Sequence, residues 1–251
     1  MSAARLNVLL ICGGKYHDFD FARLELLKLL HEHAHMRVQV AQDYAAVDQL
    51  ATTDLLITYT CDVVPDEAQQ RVLRAWLESG KRWLALHATN SIIEFVSLKP
   101  LRIRTPDAAP DFMALCGSQF VAHPPIGRFR VEVTDPTHPL VEGIEAFETT
   151  DELYLCRYSE NLQTLLHCYY EGTTPEFEQT QWDGSQPHPV LYLHPVGRGE
   201  VVYFTLGHCR GNYDMRPLME HYPNVDRCSW EQPQFREILR RCIEWSGRRD
   251  S

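Results

Sequence analysis

The sequence predicts an α/β protein with a doubly wound, mostly parallel sheet and added strands in its second half. Three features predict it. Short apolar runs such as 6–12 alternate with amphipathic stretches, long segments link successive runs, and polar residues gather where the runs end. A run buried on both faces suits a sheet covered by helices on both sides. Crossovers of about a dozen residues or more require parallel neighbours, joined right-handedly. Ligands of such sheets bind beyond the carboxyl ends of the strands, which directs attention to loops 13–20, 60–64 and 87–91.

The elements follow in order. Residues 6–12 read as the first buried strand. Asp18 or Asp20 caps a helix whose apolar residues Phe21, Leu24, Leu27 and Leu30 recur at helical spacing. Residues 38–41 give a second strand, 45–50 a short helix and 54–59 a third strand. The next helix has Pro65 at its start, Asp66 and Glu67 in its first turn, and Gly80 at its stop. Val72, Leu73, Trp76 and Leu77 are its expected inner face. Residues 82–86 form the fourth strand, which ends at His87. Residues 92–128, carrying Pro100, Pro106, Pro110, Pro124 and Pro125, read as an irregular excursion over one edge of the site. Strands are expected again at 129–133, 152–158, 164–169, 190–194 and 200–206, with 171–189 a long surface loop. Pro233 precedes a final amphipathic helix over 235–245. No linker or repeat interrupts the pattern, so one domain over 1–251 is expected.

The 251-residue chain is 44% hydrophobic and 23% charged, a balance that suits a folded globular protein and not a disordered one. No run reaches the roughly 18 to 20 apolar residues of a membrane helix. The opening Met1–Arg5 leads directly into the first strand and lacks the pattern of a secretory leader. A cytoplasmic protein without a membrane partner is therefore expected. The net charge of −10 speaks against a nucleic-acid partner. The one basic cluster, Arg240-Arg241 with Arg248-Arg249, reads as cations complementing a helix C-terminus. Eight cysteines without a CxxC pair read as reduced, mostly buried thiols. A homodimer is the default expectation for a soluble oligomer.

Several polar residues stand where strands end. Gly13-Gly14-Lys15-Tyr16-His17-Asp18 follows the first strand. Its glycines permit a tight turn or close approach to a ligand, but it matches neither a phosphate-binding P-loop nor the dinucleotide fingerprint, so no nucleotide cofactor is expected. His87-Ala88-Thr89-Asn90 follows the fourth strand, where some α/β enzymes carry a nucleophilic Ser or Cys. Histidine there suits a metal ligand, a general base or a structural residue. His123-Pro124-Pro125, Thr150-Asp151-Glu152-Leu153-Tyr154 and Leu206-Gly207-His208-Cys209 complete the set. The histidines are too far apart in sequence for spacing alone to define a metal site.

Taken in order with the segment Asp135-x-x-His138-Pro139-Leu140, these motifs resemble the trehalose-utilisation (ThuA-like) family, and they span residues 6–245. The resemblance implies a flavodoxin-like fold related to class I glutamine amidotransferases, with histidine in place of their nucleophilic cysteine. It also implies carbohydrate metabolism, especially of disaccharides or their oxidised 3-keto forms. The chain departs from the family pattern at Ser91-Ile92-Ile93-Glu94-Phe95 and in an insertion through 97–112.

The leading expectation is an enzyme acting on a sugar or a 3-keto sugar derivative. His87, Glu152 and His17 are the candidate catalytic residues. Gly14, Tyr16, Thr89, Asn90 and Tyr154 are the candidate substrate contacts, and Tyr16, Trp182 and Tyr213 offer rings for stacking on sugars. In one mechanism His87, His123, His208 and Glu152 bind a divalent metal, zinc by ligand type. In the other no metal is involved and a His–Glu pair moves protons. The alternative is a non-catalytic sugar-binding or regulatory module. Glutamine amidotransfer is disfavoured, because Cys61 and Cys209 do not occupy the nucleophile position.

Overall fold

The computed structural model describes residues 5–216, 218–220 and 222–248. Strands β1 (Leu6–Gly14), β2 (Met36–Ala41), β3 (Leu55–Cys61) and β4 (Arg82–Leu86) pair in parallel in the order β2-β1-β3-β4. Successive residues of a strand face opposite sides. Val8 and Leu10 accordingly join one core with Ala22, Leu26 and Leu30 of α1 (Phe19–His31). Leu9 and Ile11 join a second core with Leu73, Trp76 and Leu77 of α2 (Glu67–Glu78). Helices thus cover both faces, as the uninterrupted apolar runs require.

The helix starts obey their caps. The Asp18 side chain accepts the Phe21 amide hydrogen at 3.1 Å. Asp66 and Gln69 form a reciprocal capping box ahead of α2. Val72, an expected inner residue of that helix, is instead 39% exposed. The stripe formed by Leu73, Trp76 and Leu77 fills the available contact, and position 72 lies just outside it.

The middle of the chain is more ordered than its prolines suggested. Residues 92–128 contain a hairpin of β5 (Glu94–Leu98) and β6 (Leu101–Arg104), the short helix α3 (Pro110–Cys116) and β7 (Ser118–Ala122). Pro110 sits in the first turn of α3, where its missing N–H costs no hydrogen bond, and Gly117 ends the helix in the left-handed conformation.

The second half extends the sheet with β8 (Gly127–Val133), β9 (Phe147–Asp151), β11 (Gln163–Cys168), β14 (His188–Val196) and β15 (Gly199–Phe204). β15 lies parallel beside β4, with Phe204 opposite Leu86. Beyond it β14, β11, β8 and β9 follow in antiparallel succession and complete nine strands. Four reversals return β9 to the direction of β15. The carboxyl ends of β1, β4, β15 and β9 therefore open onto one edge of the sheet. α4 (Pro233–Ser246) closes the first core with Phe235, Ile238, Leu239, Cys242 and Ile243.

Three further expectations are corrected. The strand expected over 152–158 is two elements: β9 stops at Asp151, and β10 (Leu155–Tyr158) pairs with β7 in a separate ribbon. The break arises because the Asp151 carboxylate turns to bind backbone amides across the site. The loop expected over 171–189 carries a small hairpin, β12 (Glu171–Thr173) with β13 (Gln181–Asp183). Arg240 and Arg241 lie within α4 and face carboxylates, Arg240 with Glu32 at 2.7 Å and Arg241 with Glu237 at 2.8 Å, so ion pairing rather than the helix dipole engages them. Arg249 lies outside the described residues. All eight cysteines are unpaired and seven are buried. No helix among the described residues is long and apolar enough to cross a membrane.

Candidate active site and metal centre

Four strand ends deliver the polar residues. His17 follows β1, His87 follows β4, Glu152 follows β9 and His208 lies beyond β15. One potential ligand atom from each lies within 4.8 Å of every other, and all four residues are buried.

Local backbone geometry aims these side chains. His87 has φ +43°, Tyr16 φ +71° and Asp62 φ +55°, left-handed conformations uncommon for residues with a Cβ. Outliers of this kind concentrate at functional sites, where the surrounding fold holds them. The turn at His87 is fixed by the Tyr203 hydroxyl, which donates to the His87 carbonyl at 2.8 Å and accepts from the Asn90 amide. Gly14 has φ +127°, and a Cβ there would collide with the Cys61 carbonyl. Gly14→Ala is therefore expected to cost about 2 kcal/mol or more, from strain plus overlap. It should also displace the loop carrying His17. Thermal denaturation together with binding to the site measures both effects, and unchanged values for both would refute the account.

Asp151 organises the opposite wall. Fully buried, its carboxylate accepts the amide hydrogens of Glu152 (2.7 Å), Gly207 (2.8 Å), His208 (3.0 Å) and Ser229 (3.3 Å). This one side chain links the backbones that carry Glu152 and His208.

Hydrogen bonds assign the ring protons. His87 Nδ1 lies 2.8 Å from the Thr205 carbonyl and His17 Nδ1 3.2 Å from the Lys15 carbonyl. A carbonyl only accepts, so both Nδ1 atoms carry hydrogen, and both Nε2 atoms are left facing the cluster. These two Nε2 atoms face each other at 3.0 Å. Glu152 Oε2 adds negative charge 3.7 Å from His87 Nε2 and 3.2 Å from His208 Nδ1. His208 Nε2 makes no hydrogen bond to any described residue. Imidazole nitrogens and a carboxylate packed this closely are held together either by shared protons or by a metal cation.

The spacing suits a metal ion. Ligands about 2.0 to 2.1 Å from a tetrahedral zinc stand roughly 3.3 Å apart, and the contacts above bracket that separation. The donation of Nδ1–H to backbone carbonyls is also the usual support for a ligating imidazole. His17, His87, His208 and Glu152 are thus able to hold a divalent ion.

The remaining sequence candidates divide. His123 stands at the mouth, with Nε2 3.5 Å from Glu152 Oε1 and Nδ1 2.9 Å from the Pro124 carbonyl, outside the four-residue group. Tyr154 packs on the His87 ring at 4.5 Å, and Tyr16 lines the entrance beside Phe95. Thr89 and Asn90 turn away from the cleft: Thr89 bonds Thr58 and the Leu86 carbonyl, and Asn90 donates to Ser118. Trp182 lines a different cavity, and Tyr213 is 65% exposed beneath Arg216.

Two contributors were not singled out from the sequence. Asp151 was visible only as half of an acidic pair. Arg210, two residues beyond His208, is buried, pairs with Asp226 and stacks on Tyr222 at 4.7 Å, yet its Nε has no partner among the described residues. Its position after a strand-end histidine was the available signal.

Electrostatics sharpen the picture. Burial and the neighbouring His208 and His87 hold the His17 imidazole far below its usual range, favouring the neutral, ligating form. Burial would raise the Glu152 carboxyl, but the facing His123 and His208 outweigh it and keep the group ionised. Burial also drives the Cys61 thiol, which lines the cleft, far upward, so it is not a thiolate nucleophile. The deep pocket opens into an outer cleft of 480 Å³ that shares His123, Glu152, Phe177 and Arg210 with it.

Residues 7–246 match the pattern of the ThuA family, described as trehalose utilisation. Among solved structures, a ThuA-like protein of Parabacteroides merdae superposes with TM-score 0.70 at 16% identity, over 97% of this chain and 90% of the other. A ThuA-like protein of Bacteroides uniformis gives 0.65 at 15% identity, over 98% and 93%. A β-galactosidase of Rahnella sp. R3 gives 0.58 at 13% identity, over 98% of this chain and 32% of the enzyme. These likenesses establish the shared fold. A comparison with curated proteins finds no match.

Proposed function

The chain belongs to the trehalose-utilisation family, and from that premise we propose that it is a carbohydrate-metabolising enzyme acting on a sugar or 3-keto sugar derivative in the His/Glu cleft, with a divalent ion held by His17, His87, His208 and Glu152. The observation that carries the reading is the convergence of ligand atoms from His17, His87, His208 and Glu152 within 4.8 Å of one another, two histidine Nε2 atoms among them 3.0 Å apart. Eight unpaired cysteines support a reducing, cytoplasmic setting.

A bound divalent ion supplies Lewis acidity toward a substrate oxygen. The protein's own residues do the rest. Phe120, Phe177 and Ile103 exclude water from the inner cleft. Arg210, which lines both the inner and the outer cleft, would orient a substrate oxygen. Glu152 Oε1 and His123 Nε2 form a proton-carrying pair at the mouth, and His123, with an 18% exposed side chain, exchanges that proton with solvent or substrate.

His208→Ala provides the test. The variant should lose the ion and turnover on 3-keto disaccharides, and because the buried ring packs on His17 and His87, folding is checked separately by thermal denaturation. Metal analysis of untagged protein measures occupancy. Wild-type protein without stoichiometric metal, after growth and purification in metal-replete buffer, overturns the metal assignment. Metal-loaded protein that turns over no sugar or keto-sugar overturns the enzymatic reading and favours a binding module.

A further inference from the structure

A second cavity, apart from the histidine cleft, lies between the β12–β13 hairpin and the ends of β10 and β14. It measures 680 Å³ and shares no lining residue with the catalytic cleft. Specific small-molecule sites typically enclose about 300 to 1,000 Å³.

Its walls are prepared for a ligand. The Trp182 indole N–H donates to Thr174 Oγ1 at 3.0 Å and the Tyr170 hydroxyl to the Thr173 carbonyl at 3.0 Å. Both rings are therefore held by their polar ends. His188 forms the back wall, 5.6 Å from Trp182 and 7% exposed, and its Nδ1 has no partner among the described residues. An unsatisfied buried polar atom is costly, and this one belongs to a residue that lines the cavity. Burial lowers the His188 imidazole to about 4, so it is neutral near pH 7. No Lys or Arg lines the cavity, which disfavours phosphate or carboxylate ligands, while Gln179, Gln181 and Gln186 add amides at the rim.

Rigid aromatic rings, amides, the Asp183 carboxylate and no cation together match the chemistry of a pyranose, which offers an apolar C–H face and a ring of hydroxyls. We propose that this cavity is a second carbohydrate site, binding a neutral sugar or disaccharide against Trp182 and Tyr170 with hydroxyls hydrogen-bonded to His188. The inference stands on this cavity's own lining and does not depend on the metal centre.

Calorimetry and tryptophan fluorescence with trehalose, and with maltose as a second probe, test it. Wild type and Glu152→Gln should both bind at this site and perturb the fluorescence. Trp182→Ala should weaken that binding about tenfold or more, the loss of roughly one aromatic contact. His188→Gln, which keeps the strand and removes the ring, should weaken it comparably and guards against a misfolded tryptophan variant. Binding lost in Glu152→Gln but retained in Trp182→Ala would assign the sugar to the catalytic cleft and overturn the inference. Absence of binding by either probe to wild type would overturn it equally.

Discussion

Glu152→Gln is expected to empty the histidine cluster of its ion and to reduce turnover about 10²- to 10⁴-fold, the usual scale for a positioned acid–base group. Glu152 is the one carboxylate of the convergent group, and it touches His87, His123 and His208 within 3.7 Å. Glutamine preserves shape, so the fold should survive. The charge that balances a divalent ion disappears, and the amide presents hydrogen where a lone pair was needed. Metal content and kcat, measured on protein with an unchanged circular-dichroism spectrum, check the result. A variant that keeps wild-type metal and turnover would show that Glu152 is structural.

The second large effect concerns stability rather than chemistry. Asp151→Ala should destabilise the protein by about 3 to 5 kcal/mol, because it strands several buried amides whose individual cost is about 1 to 3 kcal/mol. For a chain of this size each kcal/mol lowers Tm by about 2 to 4 °C, so a fall on the order of 10 °C is expected in calorimetry. Asp151→Asn should be milder, since one carbonyl oxygen still accepts, although its NH₂ group must face donors. Equal, small effects of both substitutions would mean that Gly207, His208 and Ser229 find other acceptors.

Much of this was legible in the sequence because burial on both faces leaves a plain mark. The parallel half needed only apolar runs, caps at Asp18 and Asp66, and long crossovers. The edge on which His17, His87 and His208 meet followed from the rule for open sheets. Less legible was anything set by tertiary pairing. Whether Glu152 would continue a strand or leave it depended on amides at Gly207 and Ser229, more than fifty residues away. The hairpins in 92–128 and 171–189 are short, amphipathic only locally and built on partners in the fold. The placement of His17 within the four-residue group and of His123 at its mouth likewise depends on loop geometry that spacing does not encode. Thr89 and Asn90 follow a strand end, as site residues do, yet hydrogen bonds to Thr58 and Ser118 claim them for the scaffold.

The left-handed backbone at His87 restricts the evolutionary paths open to this site. Residues that tolerate positive φ form a short roster, led by glycine and including asparagine, aspartate and histidine, whereas β-branched residues are strongly disfavoured. Drift at position 87 is thereby channelled: a lineage can exchange one short polar side chain for another, or surrender the side chain altogether to glycine. It cannot readily pass through valine or isoleucine. New chemistry on this scaffold is thus drawn from a vocabulary limited by the bend itself before any substrate exerts selection.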